Sequence, residues 1–311
     1  MMVNKKSKDL KKGPNKELFY EGGQIIVPNG MIFSSPIIIS EILSPIIFKN
    51  SKNMKNKKKI HIVAKKGSKI HFIDINDSLC RNDILIEVEK DANVTYSSLY
   101  DFNSKTFEGD NFFIENILAN KVGKVKESGK LNWNDFLFGG KNISIKIATD
   151  LIGNNSFAKS TLFLFASNEE KCNVETKINC LSQNSNGQII TSSILDNFAE
   201  LNHQGNIFIK KNKSGCSGHQ NTRVTLIGKN SKCDVIPILD INNNEVECSH
   251  GVSIGKLDEE KLFYLESRGI SLKDAKKLLI QGEIEPLICS VNDINLEKQI
   301  RHCLDLKQNQ I

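Results

Sequence analysis

The sequence lacks the short motifs that identify many nucleotide-using and metal-dependent enzymes. It contains no G-x-x-x-x-G-K-[ST] phosphate loop, no C-x-x-C pair and no H-E-x-x-H zinc motif. Gly228-Lys229-Asn230 lacks both the upstream glycine of a phosphate loop and the hydroxyl group that would hold magnesium. We therefore expect a protein that does not itself hydrolyse nucleotides.

Arginine and long apolar runs are also scarce. Only four of the 42 basic residues are arginine, the residue that nucleic-acid readers favour for its bidentate guanidinium group. The net charge of +6 therefore does not predict nucleic-acid binding. The most apolar window, residues 25–48, is interrupted by Pro28, Pro36 and Pro45, so it falls short of the roughly 18 apolar residues of a membrane helix. We expect neither a nucleic-acid partner nor a membrane partner.

The eight cysteines are scattered along the chain without close pairing. The N-terminus is rich in lysine and polar, and it does not match a secretory signal peptide. These features predict a reducing, intracellular setting, where cysteines are free, metal-binding or catalytic. The expected location is the cytoplasm, or the stroma of a plastid or other organelle if the source is eukaryotic.

Between about residues 23 and 252, short segments with alternating apolar residues follow one another. Examples are residues 59–63, 84–88, 143–147, 174–178 and 206–209. This alternation predicts half-buried strands in a mainly β protein. The pattern alone fits a sandwich, a barrel or a β-solenoid. The polar corners and the small residues among the strands favour the solenoid, but no repeat period can be fixed.

After Gly255 the pattern becomes helical. Residues 258–269 begin with acidic residues and end at a glycine, a pattern that predicts a helix. A second helix is predicted from Ser271 to Gly282, and Pro286 is expected to start a third that continues to about residue 306.

The predicted organisation has three parts. Residues 1–22 form a lysine-rich flexible leader, residues 23–255 form the β-core, and residues 256–311 form a helical segment. That segment is long enough to provide a docking surface.

Residues that can bind a metal ion are concentrated between residues 203 and 250. Cys248 and His250 lie two residues apart, so on a strand their side chains point to the same face. Thiolate and imidazole together suit iron or zinc. Cys216-x-x-His219 resembles half of a structural zinc site, whose second half would be Cys248-x-His250. A zinc-stabilised module is one interpretation, and cysteines that act only as small buried hydrophobes are another.

One stretch of the sequence is long and distinctive. It reads VECSHGVSIGKLDEE over residues 246–260, followed by LFYL at 262–265 and SRGI at 267–270. Upstream lie HQG at 203–205, QNTR at 220–223 and PILDI at 237–241. Together these segments resemble the C-terminal part of the SufB/SufD family of iron–sulfur cluster assembly proteins, and within it the SufD side.

This resemblance implies a right-handed parallel β-helix with a C-terminal α-helical segment. It implies a scaffold that is not an enzyme, pairs with a SufB-like subunit and docks a SufC-like ABC ATPase through its helices. The partner would use the ATP, and iron or a nascent cluster would pass transiently through the subunit interface, with no cofactor bound stably by this chain. His250 corresponds to the SufD histidine implicated in iron acquisition, and Cys248 is its companion. The implied docking residues are Leu262, Phe263, Tyr264, Arg268, Leu278 and Leu279.

SufD is favoured over SufB by two differences. SufB would have Glu-His-Glu where this chain has Ser249-His250-Gly251, and it would have a cluster-assembly cysteine near Thr222-Arg223. The helical N-terminal domain of the family is expected to be missing here or reduced to the leader. The alternative function is a polysaccharide-binding or polysaccharide-lyase-like β-helix, which the lack of an export signal and the single tryptophan disfavour.

Overall fold

The computed structural model describes residues 11–12, 18–21, 24–39, 57–76, 81–101 and 116–309. Its strands are β1 Lys11–Lys12, β2 Phe19–Glu21, β3 Gln24–Val27, β4 Ile37–Ile38, β5 Lys57–Ala64, β6 Lys69–Asn76, β7 Arg81–Val88, β8 Asn93–Asp101, β9 Asn116–Val125, β10 Lys130–Phe138, β11 Asn142–Leu151, β12 Phe157–Ala166, β13 Lys171–Cys180, β14 Asn186–Leu195, β15 Glu200–Ile209, β16 Cys216–Leu226, β17 Lys232–Ile241 and β18 Val246–Lys256. Its helices are α1 Glu259–Ser267, α2 Leu272–Cys289 and α3 Ile294–Gln308.

From β3 onward the chain alternates between two sheets. The odd-numbered strands from β3 to β17 pair in parallel in one sheet, here called sheet A. The even-numbered strands from β4 to β18 pair in parallel in the other, sheet B. Stacked coils of this kind form a parallel β-helix, which confirms the fold class expected from the sequence.

The strand pattern begins earlier than the sequence predicts. β1 and β2 lie within the expected leader at one edge of sheet A, where β1 pairs with β2 and β2 pairs with β3 in antiparallel fashion. Leu18 is buried against the core. The remainder of the leader, residues 1–10, 13–17 and 22, lies outside the described residues.

The strands form because apolar residues alternate with polar ones. In β13 the inward residues are buried and the outward residues are partly or fully exposed. The register places Asn142, Lys171 and Glu200 side by side, 29 residues apart. At the corners, asparagines occupy the left-handed region that this residue tolerates, as at Asn168 and Asn197. Their side chains are hydrogen-bonded to each other at 3.3 Å.

The repeat escaped detection in the sequence because its length varies. Aligned residues are 27 positions apart between Lys130 and Phe157, 29 apart between Asn142 and Lys171, and 32 apart between Glu200 and Lys232. The varying corners absorb the extra residues, while the strands keep their pairing.

The helical segment packs against the outer face of sheet B. Its apolar stripe meets a row of aromatic side chains on that sheet. The buried members of this helix–sheet cluster are Ile73, Leu99, Phe136, Phe138, Phe163, Phe165, Ile194, Leu257, Ile280, Ile284, Ile288, Val291, Leu296, Ile300, Cys303 and Leu304. An ion pair between the buried Lys307 and the partly buried Glu170, at 2.8 Å, adds a polar contact between the last helix and the β-helix. The helices are therefore an integral part of the β-helical body.

Two predicted helix boundaries were wrong. α2 continues past Gly282 and contains Pro286, and the third helix begins at Ile294. Proline normally ends a helix because it removes one backbone hydrogen bond and crowds the preceding turn. Here Ile280, Ile284 and Ile288 pack into the helix–sheet cluster, and this burial sustains the helix through the proline. In the described part of the chain, no helix is both long and apolar enough to cross a membrane.

A buried ion pair crosses the interior of the β-helix. Lys121 on β9 donates hydrogen bonds to Asp135 on β10 and to Ser98, and the side chains of Lys121 and Asp135 are fully buried. The rings of Tyr96, Tyr100 and Trp133 lie 5.3–5.8 Å from the ammonium nitrogen. Burial raises the pKa of Asp135, and the Lys121 ammonium opposes that rise. Each charge depends on the other for compensation.

Removing one member of this ion pair should lower the free energy of unfolding much more than removing both members. Lys121→Met should lower the free energy of unfolding by about 3–5 kcal/mol, because Asp135 is left buried without its partner. The double variant Lys121→Met/Asp135→Leu should recover most of that loss. Chemical denaturation followed by circular dichroism measures both values.

The matched control is Lys146→Met, which removes an exposed ion pair with Glu175. We expect it to change stability by about 1 kcal/mol or less. A Lys121→Met variant as stable as this control would show that the buried pair is not required.

Candidate functional site

The candidate site lies at the end of the β-helix formed by β17 and β18. Among the described residues, each of these strands pairs on one side only, because no further coil is stacked beyond them. Apolar side chains are exposed here, including Ile236 on β17 and Val252 and Ile254 on β18. An exposed strand edge with apolar residues is a place where another chain can add to a sheet.

The two free edges differ in their capacity to pair. The amide of Lys232 donates to the carbonyl of Ala199, and that of Asn242 donates to Ile209, so even-numbered residues of β17 face β15. Pro237 is odd-numbered, and its nitrogen, which carries no hydrogen, therefore lies on the free edge. Proline in this position obstructs pairing. β18 has 11 residues and no proline, so it is the more open edge.

Cys248 and His250 lie on β18 and share its inward-facing side. Cys248 packs against the core and is aligned with Gly218 of β16, and His250 is exposed and aligned with Gln220. Burial raises the pKa of the Cys248 thiol, and a hydrogen bond with the Gly218 backbone opposes that rise. The metal-binding role of the pair stays a prediction.

The structure contradicts the proposed zinc half-site. Cys216 faces the interior, where its thiol donates to the carbonyl of Ser182 at 3.1 Å. His219 lies three residues further along the strand and faces outward, with Nδ1 2.8 Å from Ser249 Oγ. Residues three apart on a strand point to opposite faces, so these two cannot bind the same ion. Within the described residues, no group of three or more His, Cys, Asp or Glu side chains is placed to hold a metal ion.

The sequence also contains a serine-hydrolase motif, but the structure does not place it in the conformation that such a motif requires. Residues 251–255 read G-x-S-x-G, the spacing of a nucleophile elbow. An elbow requires a sharp turn from a strand into a helix, whereas all five residues are extended along β18. Ser253 is therefore not presented as a nucleophile.

Polar residues line the interior beneath this end. His203 on β15 is buried, and its Nε2 lies 3.1 Å from Thr191 Oγ1 on β14. Burial lowers the pKa of His203 to about 4, so the ring is neutral at physiological pH. The next polar contact is Gln220, whose Nε2 donates to the carbonyl of Ile238 on β17 at 2.6 Å. Sequence patterns gave no signal for either contact, because both depend on which residues face each other across the interior.

The predicted docking residues separate into two groups. Phe263 and Tyr264 on α1 are 73% and 56% exposed, and Leu278 on α2 is also exposed. The Arg268 guanidinium lies 5.2 Å from the centre of the Tyr264 ring. The other two, Leu262 and Leu279, pack against the helix–sheet cluster.

Leu272 was missed by the sequence reasoning. It is an exposed apolar residue at the start of α2. Its position just after the helix N-cap was the available signal.

Comparisons with known proteins identify relatives of this chain. A family model described as "SUF system FeS cluster assembly, SufBD core domain" matches residues 47–283. An iron–sulfur cluster assembly SufBD family protein of Staphylococcus aureus strain MRSA252 is 25% identical over 279 residues, which cover 88% of this chain and 57% of that protein. Similarly named proteins of S. aureus strain USA300 and of Staphylococcus epidermidis are 24% identical with the same coverage. The chain thus spans less than two thirds of these curated relatives.

The buried His203 should make stability depend on pH. The unfolded chain takes up a proton near the ordinary value of 6.5, and the folded protein resists protonation until about pH 4. Stability is therefore complete above pH 6.5 and is lost as the pH falls toward 4. Between pH 7.5 and pH 5.0, His203 should account for a loss of about 2 kcal/mol in the free energy of unfolding.

His203→Gln should remove this contribution, which denaturation at the two pH values measures. His302→Gln, at an exposed histidine on α3, is the control and should leave the pH dependence unchanged. Equal pH dependence in the wild type and His203→Gln would rule out a buried neutral imidazole.

Proposed function

Because this chain belongs to the SufBD core-domain family of the SUF iron–sulfur cluster assembly system, we propose that it is the SufD-like subunit of a SufBCD-type complex. In this function it is a non-catalytic scaffold that pairs with a SufB-like subunit, docks a SufC-like ABC ATPase and takes part in iron acquisition. The observation that carries the proposal is the open end of the β-helix, where β18, which pairs only with β16, presents Cys248 and His250. The curated relatives are bacterial, and a cytoplasmic location is part of the proposal.

The SufD-like assignment is supported by the residues around His250. Ser249 and Gly251 flank it, where a SufB-like chain would have two glutamates. Thr222 and Arg223 occupy the region where SufB would have its cluster-assembly cysteine. A pair of glutamates would supply hard oxygen ligands to a metal ion, so their absence leaves a thiol and an imidazole as the available donors.

Pairing with the SufB-like subunit is supported by the free edge of β18. The edge offers a row of backbone groups together with exposed Val252 and Ile254. A strand of the partner that added here would satisfy the backbone groups and bury the apolar side chains. The Cys248–His250 pair would then lie at the seam between the two subunits, where iron arrives as the substrate of assembly.

Docking of the ATPase is supported by the exposed surface of α1. This helix has no buried residue, yet it presents Phe263 and Tyr264 to solvent. Aromatic side chains of this kind are typical anchors of protein interfaces. The hydrolysis of ATP would belong to the partner, since this chain has no phosphate loop.

The double variant Phe263→Ala/Tyr264→Ala should weaken ATPase binding by more than about tenfold, because it removes both aromatic anchors. The thermal unfolding midpoint should not change, since α1 buries no side chain. Binding is measured by titrating the purified chain with a SufC-like ATPase from the same organism.

Ile294→Ala provides the matched control. Ile294 is 69% exposed, close to the value for Phe263, but it lies at the start of α3. Equal affinity for the wild type and the double variant would exclude α1 as the docking surface.

His250→Ala should leave folding and complex formation intact and lower the iron affinity of the assembled complex by about tenfold or more. The physical reason is the loss of the exposed imidazole from the Cys248–His250 pair. Iron recovered per complex, measured by elemental analysis after anaerobic purification, is the readout.

His219→Ala is the control, because His219 lies on the neighbouring strand but faces the opposite side. An iron content that His250→Ala leaves at the wild-type value would remove His250 from the proposed mechanism.

A further inference from the structure

Two residues of β16 lie next to the Cys248–His250 pair on the neighbouring strand. The register of β16 and β18 places Gly218 beside Cys248 and Gln220 beside His250. Gly218 and Gln220 are both buried and face the interior of the β-helix. In adjacent strands, aligned residues are about 4.8 Å apart, so the position of β18 is set directly by these two residues.

Gln220 joins the two sheets at this end. It is 5% exposed, and its side chain reaches from β16 in sheet B across the interior to β17 in sheet A. There its Nε2 donates to the carbonyl of Ile238 at 2.6 Å. In the described chain, no strand is stacked beyond β17 and β18. The cross-link through Gln220, from β16 to β17, therefore restrains an end of the fold that stacking holds from one side only.

Gly205 on β15 leaves the space that the Gln220 amide occupies. A Cβ atom at this position would lie 2.5 Å from Gln220 Oε1 and 3.6 Å from His203 Cε1. The backbone of Gly205 is extended and does not require glycine for its conformation. Glycine at position 205 therefore makes room for the Gln220 amide, which the side chain of any other residue would displace.

We propose that Gln220 is a positioning residue for the Cys248–His250 pair, held in place by the space at Gly205. By fixing β16 relative to β17, it sets where β18 presents the thiol and the imidazole at the open end. This inference rests on the proposed function for its biological role, but its structural content can be tested without any partner.

The first test measures how accessible Cys248 becomes in the full chain. Labelling with N-ethylmaleimide is followed peptide by peptide by mass spectrometry, with the exposed Cys289 as an internal reference. Gln220→Leu and Gly205→Ala should each raise the labelling rate of Cys248 about tenfold relative to Cys289, by releasing β18 from its fixed position. Unchanged rates in a folded Gln220→Leu variant would overturn the proposal.

Two further variants separate positioning from a general loss of packing. Gly187→Ala introduces a Cβ 2.8 Å from the Ile178 side chain, an interior clash in an earlier coil, and should not change Cys248 labelling. Adding Gly205→Ala to Gln220→Ala should have no further effect, since the amide with which the new methyl group collides is already gone. Full additivity would mean that Gly205 acts through another contact and would contradict the coupling.

A second test uses Co²⁺ alone as a probe of the pair. In the Cys289→Ser chain, a thiolate-to-cobalt absorption band that depends on Cys248 and His250 should appear. Gln220→Leu should raise the Co²⁺ concentration needed for half of the band by about tenfold, without lowering the thermal midpoint to that of Gly187→Ala. An equal cobalt affinity in Gln220→Leu would contradict the positioning role.

If no Cys248-dependent band forms in the parent chain, the Cys248–His250 pair does not bind a metal ion without the partner subunit. The labelling test alone then shows whether Gln220 positions Cys248.

Discussion

The structure depends above all on the backbone hydrogen bonds between successive coils. In the part of the chain that the structure describes, each strand of the two sheets is paired on both sides except at the ends, so the body of the β-helix has no free edge there. Unpaired backbone groups and uncovered inward-facing side chains can therefore occur together only at a terminal coil. At the N-terminal end, sheet A is extended by the antiparallel strands β1 and β2. β17 and β18 have no such extension, and the candidate site lies there.

The same stacking creates a second constraint inside the coils. An inward-facing polar side chain cannot reach water, so it must find a partner across the interior or along it. Several strands of sheet B meet this requirement by bonding to the strand of sheet A that comes directly before or after them in the chain. The contacts are Asn76–Asn82, Lys121–Asp135, Trp133–Thr149, Thr191–His203 and Gln220–Ile238. They add specificity to a stack whose backbone pairing alone would permit other registers.

The features that could be predicted from the sequence are those set by interactions between residues close together in the chain. The alternation in residues 143–147 and 174–178 is local, and both segments are strands as expected. Gly282 and Pro286 were read by local rules as helix boundaries, and packing on sheet B overrode them. The zinc half-site failed because Cys216 and His219 both lie on the extended strand β16, where residues three apart point to opposite faces. Gln220 and Ile238 are 18 positions apart in the chain, and their contact across the interior depends on how β16 and β17 face each other. A local sequence pattern does not carry that information.

The helices and the candidate site are joined through one strand. Thr225 of β16 donates a hydrogen bond to the partly buried Glu283 carboxylate of α2 at 2.9 Å, and burial raises the pKa of that acid. The same strand carries Gln220 and pairs with β18 along its length. α2 is also held on sheet B by the helix–sheet cluster, so it cannot shift independently of the strands beneath it. The exposed face of α1, the proposed docking surface, is thus connected to the strand of His250 by a continuous series of contacts through α2 and β16.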